Sequence, residues 1–152
     1  MNSDLAYHGI VAAIERLHRH FLDVLRAELH RCGIEDANAV QALLLYNIGS
    51  NEVVIRDLKD RGYYHGSNVS YNIKKLTELG YLDQERCAHD RRSVRLRLTE
   101  RGMQLCEVVR DLQTYLSAKL GDVTADALRA TEQTMQVVER TWTEFLRYGR
   151  EA

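Results

Sequence analysis

Arg91, Arg92, Arg95 and Arg97 crowd into one short stretch directly behind Asp90. Guanidinium groups at that density suit phosphate oxygens, or a narrow minor groove where negative potential is enhanced. A lone carboxylate among them weakens phosphate binding unless it orients a guanidinium through a bidentate pair, so Asp90 is expected to position Arg92 or another arginine of the loop. A second group of polar residues precedes these. With Val69 as reference and about 100° per residue, Ile73 and Leu76 fall beside it. Ser67, Asn68, Tyr71, Lys74 and Lys75 fall on the opposite side, with Ser70 on the flank and Glu78 as the single acid near the end. Hydroxyl and amide groups early on such a helix can hydrogen-bond base edges, and the lysines further along suit phosphates. The free N–H groups of the helix start also favour an anion.

The charge of the chain is uneven in the same sense. Across 152 residues the net charge is −1, yet from Arg56 to Arg101 there are 11 Lys and Arg against 7 Asp and Glu, and the remainder has 10 against 15. A basic middle between acidic flanks points to one face for phosphates and another for a different partner. Hydrophobic residues make up 45% and charged residues 28%, the profile of one ordinary globular domain with a real core. No apolar run approaches the length of a membrane span, and the first residues lack the basic-then-apolar pattern of a signal peptide. Three cysteines, Cys32, Cys87 and Cys106, with no C-x-x-C spacing, fit a reducing cytoplasm rather than a disulfide framework or a zinc knuckle.

The elements that must position the polar groups are mostly helices, and the absence of proline favours long ones. Ile10, Ile14, Leu17, Phe21 and Leu25 form one stripe, predicting a helix over 5–31 that stops at Gly33. A second helix is expected over 36–48, with Val40, Leu43, Leu44 and Tyr46 apolar, a short third over 53–61, and a fourth over 66–79 closed by Gly80. Val94, Leu96 and Leu98 then alternate with Arg95 and Arg97, which is a strand. Residues 81–87 are its partner and 88–93 a polar hairpin loop. Thr99 caps a fifth helix over 100–119. A sixth, over 124–148, carries Leu128, Met135, Val138, Trp142, Phe145 and Leu146. The fold class is therefore mainly α with a small β-hairpin wing: a winged helix-turn-helix over 36–102 within a single domain spanning 1–152. The helices at 5–35 and 103–150 are surplus to it, and their apolar stripes need a partner, most simply a second copy.

The stretch from Asp90 to Gly102 resembles the wing signature of the MarR family: Asp, a basic residue, Arg, then an alternating strand ending Leu98-Thr99 and a glycine three residues on. Gly66 to Leu76 resembles that family's recognition helix, and with Arg61-Gly62-Tyr63-Tyr64-His65 before it the resemblance is closest to LdtR-like members. It implies a homodimeric transcription regulator on a pseudo-palindromic double-stranded DNA operator, dimerised through its N- and C-terminal helices and released by a small, often aromatic, effector. Carried over by position, Ser67, Asn68, Ser70, Tyr71 and Lys74 meet the major groove, Lys75 a phosphate, and Arg91 and Arg92 the minor groove or backbone. The aromatic Tyr63-Tyr64-His65 approach departs from many members.

The family's effector cleft, lined by the first, second and fifth helices, makes His18, Cys32, Leu43 and Tyr46 the candidate ligand residues. Cys32 also suggests a thiol switch, because the neighbouring Arg31 and His30 favour a thiolate. Cys87 and Cys106 read as packing residues. No metal site is expected: His18 and His20 lie about 200° apart on a helix. No cofactor motif is present, and without a nucleophile elbow or P-loop the chain does not read as an enzyme. A winged-helix protein-interaction module without DNA binding is the remaining alternative.

Overall fold

A computed structural model describes the backbone of residues 2–50, 52–60 and 66–151, and their side chains apart from 59–60, 66–67, 90–92 and 151. The chain divides into two compact units, residues 1–114 and 115–152. In chain order the elements are α1 (Ser3–Arg31), α2 (Ala39–Ile48), β1 (Val53–Val54), α3 (Ile55–Asp60), α4 (Gly66–Glu78), β2 (Leu82–Cys87), β3 (Asp90–Leu98), α5 (Glu100–Ala118) and α6 (Ala125–Tyr148).

Helix ends follow their capping chemistry. Asn2 caps α1, accepting from Asp4 N at 3.1 Å, so the helix begins at Ser3 rather than 5. It ends in a Schellman motif: Gly33, at φ 73°, donates to His30 and Ile34 donates to Leu29. The second helix starts at Ala39, later than the expected 36, because Asn38 and Gln41 form a capping box. Thr99 caps α5 as expected, its Oγ accepting from Gly102 N at 3.2 Å.

Three further expectations are corrected. Val53 and Val54 are not helical; they pair antiparallel with Leu96 and Arg95, giving a three-stranded sheet ordered β1-β3-β2. The hairpin turn shrinks to Ala88-His89, so Asp90, Arg91 and Arg92 are the first residues of β3 and not a loop. A register irregularity between Arg86 and Cys87 lets Cys87 face Asp90. On α2 the buried positions are Ala42, Leu44, Leu45 and Ile48; Val40 is exposed and Leu43 and Tyr46 are half-buried.

The core of the first unit gathers Leu25 and Leu29 of α1, the buried face of α2, Leu58 of α3, Val69, Ile73 and Leu76 of α4, Leu82, Leu96 and Leu98 of the sheet, and Leu105, Cys106 and Val109 of α5. Only the last part of the α1 stripe takes part. Leu17 is 60% exposed, and Ile10, Ile14 and Phe21 are half-buried. In the second unit α6 is capped by Thr124, which accepts from Ala127 N at 3.1 Å. None of its residues is buried: Leu128, Trp142, Phe145 and Leu146 are exposed, and Met135 and Val138 are half-buried. Among the described residues no helix is long and apolar enough to cross a membrane.

Candidate nucleic-acid interface

The position of α4 is set by its apolar side and by two side-chain ties, to α2 and to β2. Val69, Ile73 and Leu76 are almost fully buried, as their spacing requires. The buried Gln41 donates through Nε2 to Asn72 Oδ1 at 3.2 Å, joining the start of α2 to the middle of α4. Thr77 donates back to the Ile73 carbonyl and accepts from Gln84 of β2 at 2.8 Å. The helix ends in a second Schellman motif, with Gly80 at φ 82° donating to Thr77 and Tyr81 donating to Leu76.

The opposite side faces outward. Asn68, Ser70, Tyr71, Lys74 and Lys75 are all exposed, and Tyr71 is 65% exposed. A tyrosine left largely in water offers a broad ring and a hydroxyl to a partner. The Ser67 side chain and the Tyr63-Tyr64-His65 approach lie outside the described residues.

The wing separates its arginines into two kinds. Arg95 and Arg97 project from the outer face of β3, directly opposite Glu85 and Asp83 of β2. Glu52, just before β1, reaches Arg95 at 3.6 Å and Arg97 at 3.9 Å. Glu52 therefore pairs with both guanidinium groups, with Asp83 and Glu85 opposite them in the register, and this pair does not form the free basic face that alternation alone suggests. Arg91 and Arg92 precede the acidic ladder on the strand, beside the turn. Their side chains and that of Asp90, with the proposed orienting pair, lie outside the described residues. Sequence reasoning overlooked Arg86. It is exposed on β2 and shares the sheet face of Gln84, which bonds to α4, so it adds a cation on the side of the wing that faces the helix. The cue was available as strand alternation from Leu82.

The four candidate ligand residues do not converge. Tyr46 lines a cavity of about 110 Å³ with Gly49, Ser50, Leu98, Met103, Cys106, Glu107 and Arg110. His18 is exposed on α1 and Leu43 is half-buried; neither they nor Cys32 line that cavity. Cys32 is exposed at the C-cap of α1. Its neighbour Arg31 is held by Glu28 through both carboxylate oxygens, and the Cys32 thiol donates to the same carboxylate at 3.6 Å. The Arg31 guanidinium also donates to Cys32 Sγ at 3.7 Å, so Arg31, Glu28 and Cys32 form one local network at the end of α1. Burial pushes the Cys106 thiol up to about 11, which keeps it protonated and consistent with packing.

Comparison with known proteins agrees with this geometry. The profile of a winged helix DNA-binding domain matches residues 38–102, spanning α2 through the start of α5. The exopolysaccharide II synthesis transcriptional activator ExpG of Rhizobium meliloti (strain 1021) is 38% identical over 150 residues, covering 97% of this chain and 77% of the relative. Among solved structures, the transcriptional regulator BldR of Sulfolobus solfataricus superposes with a TM-score of 0.74 at 19% identity, covering 92% of this chain and 99% of BldR. Streptococcus pneumoniae FabT in complex with DNA gives 0.74 at 16% identity, covering 91% and 99%.

Proposed function

Because the chain belongs to the MarR family of winged helix-turn-helix transcriptional regulators, we propose that it works in the cytoplasm as a homodimer on a pseudo-palindromic operator, reading the major groove with α4. It is a DNA-binding regulator of transcription and not an enzyme. The observation that carries the finer reading is the division of α4 into a buried face of Val69, Ile73 and Leu76 and an exposed face of Asn68, Ser70, Tyr71, Lys74 and Lys75. By helix periodicity Ser67 is assigned to the same base-reading set, and Arg91 and Arg92 of the wing are assigned to the flanking backbone or minor groove.

Dimerisation is supported by the apolar residues that the single chain leaves in water on α1 and α6. Burying such stripes returns about 25 cal/mol per Å² of apolar surface. A two-fold dimer also places two recognition helices about one DNA turn apart, roughly 34–36 Å. The effector part of the reading is supported by the cavity at Tyr46. At about 110 Å³ it falls short of the roughly 300–1,000 Å³ typical of sites for drug-sized ligands. An aromatic effector held there needs an additional wall, which a second subunit supplies.

Selection of bound sequences from random duplex DNA tests the proposal. Enrichment of an inverted repeat with half-sites about 10 base pairs apart is expected; recovery of unrelated sequences, or of a solitary half-site, would overturn it. A promoter reporter then gives the sign of regulation, and activation is the expected one given the relative's role.

A further inference from the structure

The recognition helix leaves its last turn through Leu79, Gly80 and Tyr81, and the first turn of α5 holds each of these residues. Arg101 donates to the Leu79 carbonyl. The Thr99 hydroxyl donates to the Gly80 carbonyl at 2.6 Å, and Thr99 N donates to the Tyr81 carbonyl at 3.1 Å. Gly102 packs so closely that a Cβ there would collide with the same Tyr81 carbonyl oxygen. Any side chain at 102 would push the two segments apart.

A second layer anchors this contact to the α1–α2 connection. The Tyr81 hydroxyl donates to Asp36 Oδ1 at 2.6 Å. The Arg101 guanidinium lies over the Tyr81 ring, 4.3 Å from its centroid, and pairs through its other nitrogen with Asp36 Oδ2. One planar cation thus serves a main-chain carbonyl, a carboxylate and an aromatic face together, a combination that suits arginine and not lysine. The Tyr81 hydroxyl, and after it Arg101, holds the Asp36 carboxyl below its ordinary range. Burial and Asp36 push the Tyr81 phenol up to about 12. Both groups therefore keep their bonded forms at neutral pH.

We infer that the first turn of α5, anchored by Asp36, is a clamp that sets the direction of the recognition helix relative to α5, making Arg101 and Asp36 positioning residues for DNA binding. Neither belongs to the polar face of α4 or to the wing. The exit of α4 has its successive backbone groups pinned, so it does not swivel independently of α5. Since the dimer proposed above joins the subunits through their terminal helices, the same clamp sets the distance between the two recognition helices. The inference rests on that DNA-binding reading.

The test uses the full chain with substitutions Arg101→Met, Asp36→Ala and the two combined. Affinity is measured for the selected operator, for operators with the spacer one base pair shorter or longer, and for unrelated duplex. Arg101→Met should lose about tenfold in operator affinity, the scale of one misread base pair. It should also lose the parent's preference among spacers, while affinity for unrelated duplex and its salt slope stay unchanged. The double substitution should be no worse than the poorer single one, because both break one network. A purely structural role would instead lower specific and non-specific binding together, in step with the folded fraction, and that result overturns the inference. If Arg101→Met melts below the assay temperature, Arg101→Lys is read by the same criteria. Parental affinity and spacer preference in the variants overturn the clamp alone. Failure of the parent to bind any selected operator overturns the DNA-binding reading and the clamp with it.

Discussion

The side-chain amide of Gln41 donates to Asn72 across 3.2 Å, so a residue of the α2 capping box also holds the recognition helix. Gln41 is only 5% exposed, and its loss leaves Asn72 short of a partner and α2 without half of its box. Gln41→Ala should cost roughly 1–3 kcal/mol, the scale of an orphaned buried polar group plus a weakened cap. Denaturant unfolding measures this. A midpoint equal to the parent's would contradict the role given to the pair.

The wing arginines should separate in function as they do in structure. Arg92→Ala is expected to weaken operator binding and lower the salt slope by about 1, the signature of one lost phosphate contact. Arg95→Ala and Arg97→Ala should change the slope less, because Glu52 already pairs with both cations and Asp83 and Glu85 lie opposite them on β2. Binding titrations across a salt series check this. Equal losses for Arg97→Ala and Arg92→Ala would show that the neighbouring carboxylates do not withhold Arg97 from DNA.

The Asp36–Tyr81 bond sets a pH window for stability. The Asp36 carboxyl lies below its ordinary value of 3.8, so its stabilisation is present above that value and fades as pH falls through the lowered one. The Tyr81 phenol is raised from 10.0 to about 12, so its contribution is complete below pH 10 and fades as pH rises through about 12. Asp36→Asn should flatten the acid limb of unfolding free energy against pH below about 4 and leave the neutral plateau level. An acid limb as steep as the parent's would assign the acid sensitivity to other carboxylates.

Charge placed on the exposed apolar stripes should disperse the dimer. Leu17 is 60% exposed on α1 and Phe145 is 55% exposed on α6. Sedimentation velocity should show a dimer for the parent. Leu17→Glu and Phe145→Glu should each sediment as a monomer that keeps its helical content, since neither side chain belongs to the single-chain core. Dimers persisting in both variants would place the subunit contact elsewhere.

What the sequence disclosed was local. Val69, Ile73 and Leu76 announce their buried face by spacing, Thr99 its cap by residue type, and Gly80 a helix stop, and all three hold. What stayed hidden depends on partners distant in the chain. Val53-Val54 is a strand only because Leu96 and Arg95 lie alongside it. Arg95 and Arg97 read as free cations until the register brings Asp83 and Glu85 opposite and Glu52 within reach. The Asn38–Gln41 capping box was not read from the sequence, which placed the helix start at 36, and neither was the bond of Gln41 to Asn72. Arg101 likewise shows nothing in sequence of its stacking on Tyr81 or its pairing with Asp36.

The most direct measurement of the central claim is the operator affinity of Tyr71→Ala and Asn68→Ala at fixed salt, beside their melting temperatures and their affinity for unrelated duplex. Both side chains are exposed and outside the core, so the stability read from melting should stay within about 0.5 kcal/mol of the parent. Operator affinity should fall by roughly 1–3 kcal/mol for each lost base contact, with non-specific binding intact. Parental operator affinity in both variants would mean that this face of α4 does not read DNA.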